Sequence, residues 1–242
     1  NHYFAELYQP FPLVNSIITA LTGDQDQVVI LTGHAGDGKS TVALDVLKQL
    51  RGLPLDQPLT HAVNEIETVQ WHSDHHSKAV SIVKDMSELT AEIRLKWIQQ
   101  AFERYQPGSW LIISNTGPLL NTLAQFCRHV PGDMESQILQ RLDQSYTGSD
   151  LKPHTLDQFP KNLVILNLAR LDNVVIGAKL LTRLVNHSGW QQCAGCIAES
   201  GCPLLLNRLA LKAAGITVEN RVRWIYQRLT AYEQRLTLRQ MD

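Results

Sequence analysis

The chain has 242 residues, 44% of them hydrophobic and 19% charged, with a formal net charge of −1. That is enough for one large core, or a core with a small appendage. No run approaches the roughly 18 apolar residues a membrane span needs and no secretory leader is legible, so a cytoplasmic, non-membrane protein is expected; so balanced a charge neither demands nor excludes a nucleic-acid partner.

Residues 1–12, carrying Pro10 and Pro12, read as an irregular lead-in, and a short helix over 14–21 ends at Gly23. Residues 27–32 form a β-branched apolar run of the kind found in buried parallel strands. The loop Gly33-His34-Ala35-Gly36-Asp37-Gly38-Lys39-Ser40 follows, then Thr41, and from there apolar residues recur at helical spacing. A Gly, four free positions and Gly-Lys-Ser between a strand and a helix is the P-loop pattern. Its glycines let the backbone pass close to a polyphosphate, and successive N–H groups at the helix start form an anion nest. Lys39 is expected to reach the β- and γ-phosphates and Ser40 to ligate Mg²⁺, while Thr41 packs or caps.

Gly52, Pro54 and Pro58 then mark a loop, and 61–69 is a weak strand. The run Trp71-His72-Ser73-Asp74-His75-His76 has metal-binding residue types, but its polar character predicts a solvated loop. A strand over 78–85 ends in Asp85, and a helix covers 89–105. Another buried strand, 110–115, ends in Asn115. Helices are expected over 119–130 and 134–146, split by Pro131-Gly132, and a last strand over 162–168. From 172 onward only helices are expected, interrupted by cysteines. About five apolar strands alternating with helices imply a parallel sheet flanked by helices, with the ligand at the strands' C-terminal ends. The expected division is 1–24 as lead-in, 25–185 as the ATPase core and 186–242 as a helical, cysteine-containing region.

Hydrolysis needs a carboxylate for Mg²⁺ and a group to activate water. Asp85 is the candidate for the first and Glu88, three residues on, for the second; Met86 stands where a Glu usually follows the Asp. The alternative reading has Asp85 and Ser87 capping the next helix with Glu88 completing the cap. Asn115 is a candidate to touch the γ-phosphate or the attacking water, against a plain turn or N-cap role. Cys193 and Cys196 form a C-x₂-C, and with His187 and Cys202 they make a candidate Cys₃His zinc site, with an iron–sulfur cluster as a less favoured alternative and reduced thiols as the plain reading. Cys127 reads as a core residue. Arg208, Lys212, Arg221, Arg223, Arg228, Arg235 and Arg239, interleaved with Trp224, Tyr226 and Tyr232, read first as a solvated helix face and second as a DNA-facing surface.

A P-loop, an acid-ended strand and an Asn-ended strand in this order resemble an AAA+ ATPase core. The final 236–240 segment is similar to the start of the sensor-2 helix of the AAA+ lid, which implies that Arg239 contacts the γ-phosphate. The loop wording, together with Lys84-Asp85-Met86-Ser87-Glu88, Asn115-Thr116-Gly117, Asn167-Leu168-Ala169-Arg170 and the Cys-Pro segment, resembles the DptF-type ATPases of bacterial phosphorothioation-dependent DNA restriction. The resemblance implies ATP rather than GTP, a homo-oligomer with an Arg in trans (Arg128, Arg141 and Arg170 being candidates), other defence-system subunits as partners, and DNA as a further partner. Family members are longer, and a chain opening at Asn1 is expected to be a piece of such a protein.

Overall fold

The computed structural model describes residues 4–59, 63–73, 77–103, 105–128, 134–143, 161–171, 173–232, 234 and 236–241. The chain divides into two compact units, one of residues 10–55 and 59–171, the other of residues 1–9, 56–58 and 172–242.

The first unit holds helix α2 (Leu13–Thr22) after the short α1 (Phe4–Leu7) of the other unit, then β1 (Gln27–Thr32), α3 (Lys39–Leu50), β2 (Ile66–His72) and β3 (Ser77–Val83). A 3₁₀ turn at Met86–Glu88 leads to α4 (Ala91–Ala101), β4 (Ser109–Ile113), α5 (Thr116–Cys127), α6 (Met134–Asp143), β5 (Asn162–Asn167) and a second 3₁₀ turn at Leu168–Arg170. The strands form one sheet in the order β2-β3-β4-β1-β5. β1 lies between β4 and β5, parallel to both, and β3 pairs parallel with β4. All six residues of β1 and all five of β4 are buried, as the unbroken apolar runs require of central strands covered on both faces.

Alternation along the strands sorts the core into two layers. Val28, Ile30, Trp110 and Ile112 join Met86, Ile98, Leu119, Leu123 and Ile138 from the 3₁₀ turn and α4 to α6. On the other side α2 and α3 pack on the sheet and supply the fully buried Ile17, Leu21, Val42 and Val46.

The expectation of a wholly parallel sheet is corrected at one edge. β2 pairs antiparallel with β3 over all seven of its residues. Four positions separate His72 from Ser77, too few for the crossover of a dozen or more that parallel pairing needs. Trp71 and His72 therefore lie in a strand, not a loop, while Asp74, His75 and His76 fall outside the described residues, as do His61, Pro131-Gly132 and the 144–160 stretch. The lead-in, expected to be irregular, holds the four-residue α1.

The second unit is helical: α7 (Val174–Asn186), two 3₁₀ turns at Ser188–Cys193 and Glu199–Gly201, α8 (Pro203–Ala214), α9 (Ile216–Ala231) and α10 (Leu238–Met241). α7 is its centre and contacts α1, α8, α9 and α10. Val174, Ala178 and Val185 are buried, whereas α8 and α9 contain no buried residue. Among the described residues no helix is long and apolar enough to cross a membrane.

Candidate functional site

β1, β3, β4 and β5 are parallel, so the segments that leave them emerge along one edge of the sheet. That edge collects the Gly33–Ser40 loop, Asp85, Asn115 and the Leu168–Arg170 turn.

The loop is built by positive φ at Gly33 (148°), Gly36 (91°) and Gly38 (88°), and Gly38 is the left-handed residue from which α3 starts. Gly33 is also confined by space. A Cβ there would lie 2.9 Å from Asp37 Oδ2 and 3.2 Å from both Ala169 N and Leu168 Cβ. Asp37 is buried at 1% exposure, and its Oδ2 accepts the His34 N–H at 2.8 Å while its own N–H donates to the His34 carbonyl at 3.3 Å. The carboxylate therefore staples the loop across three residues. His34, Ala35 and Ser40 are exposed, Gly36 and Gly38 are half-buried, and Thr41 is half-buried on the first turn of α3.

Lys39 is the first residue of α3 and is 5% exposed. Its Nζ donates to the carbonyls of His34 (2.8 Å) and Gly33 (3.2 Å), curling the ammonium back inside the loop. Burial holds its pKa below the ordinary lysine value, while the charges of Asp85 and then Asp37 oppose that fall. Asp85 is thus within electrostatic reach of Lys39, although the two are carried by strands separated by β4. A polyphosphate between the nest and the ammonium would exchange two carbonyl acceptors for charged oxygens, a stronger hydrogen-bonding arrangement for Nζ.

Asp85 stands just beyond β3 with extended backbone and caps the 3₁₀ turn: its Oδ1 accepts the Ser87 N–H at 2.9 Å. The capping reading describes that oxygen, and the other has no partner among the described residues, so the carboxylate fits a Mg²⁺ or its water without losing the cap. Glu88 lies exposed at the end of the same turn, with its N–H on the Asp85 carbonyl at 3.3 Å. Met86 is fully buried in the α4–α6 core layer. A carboxylate directly after Asp85 would point into that layer, which gives the departure at Met86 a physical reason. α4 itself is capped by Thr90, whose Oγ1 accepts the Ile93 N–H at 3.4 Å, so the helix begins later than the 89–105 expectation.

Asn115 holds the N-cap position of α5, yet its side chain makes no cap hydrogen bond. Its carboxamide keeps two donors and an acceptor for a ligand. Its backbone N–H donates to Ser87 Oγ at 2.7 Å, a contact across 28 residues that ties the acid-ended strand to the Asn-ended one. Ser87 is the site residue that sequence reasoning reached only as a helix cap. The Thr32 and Thr116 hydroxyls, 3.3 Å apart, make a similar tie between β1 and α5.

Of the remaining candidates, Arg128, Arg141 and Arg170 belong to the first unit, Arg128 and Arg170 exposed and Arg141 half-buried, whereas Arg239, His187 and the clustered cysteines belong to the second. Arg239 is exposed on α10. Cys193, Cys196 and Cys202 are free thiols, Cys196 exposed and the others half-buried. His187 Nδ1 accepts the Gly189 N–H at 3.0 Å, and its Nε2 faces Glu6 Oε2 at 3.9 Å. Among the described residues no group of three or more His, Cys, Asp or Glu is disposed to hold a metal ion. The imidazole is thus hydrogen-bonded to backbone through Nδ1 and faces a carboxylate through Nε2. Cys127 is partly buried against the core of the first unit. On α9, Arg228 stacks over Trp224 (5.6 Å) and Tyr232 (5.8 Å), all on an exposed face.

No protein-family model, no curated protein and no solved structure matches this chain significantly.

Proposed function

We propose that the chain is a Mg²⁺-dependent P-loop ATPase that binds and hydrolyses ATP. The observation that carries the proposal is the Gly33–Ser40 loop, with Lys39 buried at its centre in the field of Asp85, at the strand edge where such sheets bind ligands. In this reading the loop N–H groups bind the phosphates, Lys39 neutralises the β- and γ-oxygens, and Ser40 and Asp85 hold Mg²⁺. Mg²⁺ supplies charge neutralisation and orientation of the terminal phosphate. The carboxamide of Asn115 contacts the γ-phosphate or the attacking water, and Glu88 is the candidate base. The sheet order, with β4 between the P-loop strand and the acid-ended strand, is in keeping with an AAA+-like core. On the sequence resemblance, the protein is a motor or regulatory subunit of a bacterial DNA restriction or anti-phage system, and Arg239, an oligomer and DNA enter on the same ground.

One observation favours a second reading. Met86 is buried where a base would follow Asp85, and Glu88 is exposed; both suit a nucleotide-dependent switch that turns over slowly. Steady-state ATP hydrolysis with and without duplex DNA, beside Lys39→Ala, separates the two. The motor reading requires turnover that DNA raises and Lys39→Ala abolishes. Tight ATP binding with negligible turnover under both conditions selects the switch.

A further inference from the structure

We infer that Ser87 is a positioning residue that lets this site distinguish a nucleoside triphosphate from a diphosphate, an inference that rests on the nucleotide-binding reading above. The two groups placed to meet a terminal phosphate and its cation, Asp85 and Asn115, leave different strands, β3 and β4. Ser87 joins them through its backbone N–H and its hydroxyl: the N–H donates to Asp85 Oδ1 at 2.9 Å, and Oγ accepts the Asn115 N–H at 2.7 Å.

Each end of this bridge is fixed. The turn that carries Ser87 is anchored by fully buried Met86, whose carbonyl accepts the Leu89 N–H at 3.2 Å. At Asn115 the carbonyl accepts from Leu119 N–H and from Ser114 Oγ, both at 3.1 Å. With its N–H on Ser87 and its C=O so engaged, the Asn115 backbone is held at both polar groups, and only the carboxamide remains to answer a ligand. An ionised carboxylate only accepts, so Asp85 meets a phosphate through a cation, whereas the carboxamide can donate to a phosphate oxygen directly. The bridge sets the spacing between these two complementary contacts. Lys39, on the P-loop itself, meets the β-phosphate of either nucleotide and the γ-phosphate of a triphosphate. The loop therefore supplies most of the affinity, and the Asp85–Ser87–Asn115 bridge adds the part of the terminal-phosphate preference that Ser87 tunes.

The test compares Ser87→Ala, Ser87→Thr and Ser87→Cys with wild type. Calorimetric Kd values are measured for Mg²⁺ with a non-hydrolysable ATP analogue and for Mg²⁺ with ADP, and kcat and KM where turnover is present. Losing the hydroxyl acceptor at Ser87→Ala should cut the triphosphate-over-diphosphate preference roughly tenfold, as one hydrogen bond of ordinary net strength allows. ADP affinity should stay within about twofold, kcat should fall more than KM rises, and Thr, which keeps the hydroxyl, should restore the preference to within about threefold. If Ser87→Ala does not fold, Ser87→Cys carries the test: its weaker acceptor should give an intermediate preference in a side chain of similar size. An unchanged preference in a folded Ala or Cys variant overturns the inference, as does an equal loss of both affinities, which is what a purely structural role would produce. A wild-type protein that binds neither nucleotide overturns the nucleotide reading and this inference with it; one that binds both while the Ala variant keeps its preference overturns only the role of Ser87.

Discussion

Replacing Asp37 tests whether the loop owes its shape to an internal staple. The carboxylate is 1% exposed and accepts the His34 N–H at 2.8 Å. Asp37→Ala leaves that donor without its acceptor, at a cost of about 1–3 kcal/mol. It also removes one of the two negative charges that oppose the burial-driven fall in the Lys39 pKa, so the ammonium becomes harder to keep charged. For a chain of this size each kcal/mol moves Tm by about 2–4 °C, so a fall of roughly 2–12 °C is expected by calorimetry. Asp37→Asn keeps an oxygen acceptor and loses only the charge, and it should melt between wild type and the Ala variant. ATP affinity should follow the same order, with Asp37→Ala weaker by roughly tenfold if about 1.4 kcal/mol of loop order is lost. An Asp37→Ala protein that melts and binds like wild type would refute the staple.

Three further substitutions follow from the packing. Lys161 is 5% exposed and its Nζ has no hydrogen-bond partner among the described residues; burial lowers its pKa, against the opposing charges of Asp26 and Glu103. Its folded pKa lies below the unfolded value, so the unfolded state binds more protons between those two values, and stability rises with pH through that window, short of about pH 10.4. Lys161→Met should therefore be more stable at pH 7, by about 1–3 kcal/mol, with the advantage shrinking towards pH 10 in urea titrations; a less stable variant at pH 7 would contradict this. Met86→Glu, which supplies the acid missing after Asp85, places a carboxylate at a fully buried position. It should cost about 3–5 kcal/mol and raise no turnover, and a stable, faster variant would show that the turn can reorient. Gly108 has φ of +110°, and a Cβ there would lie 2.5 Å from the Ala79 carbonyl oxygen, so Gly108→Ala should destabilise by roughly 2–4 kcal/mol in the same titration; a change near zero would count against this packing.

The parts of this fold that announce themselves in sequence are those governed by local rules. β1 and β4 show as apolar runs because central parallel strands are buried on both faces, and the loop shows because positive φ at Gly33, Gly36 and Gly38 demands glycine. β2 was legible only as a weak strand in a shifted place. It is an edge strand with one buried residue, Val69, and Thr68, Gln70 and His72 form an exposed polar face, so the segment reads as loop. Its direction depended on a short connection rather than on any residue type. The long-range ties, one at the site and one at the opposite edge of the sheet, were hidden for a different reason. Ser87 Oγ meets Asn115 N–H across 28 positions, and Lys78, buried at the start of β3, donates to the Gly23 carbonyl across 55. No periodicity or motif encodes such pairs; only the sheet brings them together. Asn115 shows the ambiguity in small compass: the sequence offers it as ligand contact and as cap, and the absence of a cap bond from its side chain is a fact of the fold.

The most direct test of the central claim is calorimetric binding of Mg²⁺-ATP to wild type and to Lys39→Ala, with thermal melts to show that both are folded. Lys39 Nζ already sits 2.8 Å from the His34 carbonyl inside the loop, placed to exchange that acceptor for phosphate oxygens. Charge-assisted hydrogen bonds of about 1.5–3 kcal/mol imply that the variant binds roughly 10- to 100-fold more weakly. A folded Lys39→Ala protein with the affinity of wild type, or a wild type with no measurable affinity, would contradict the account.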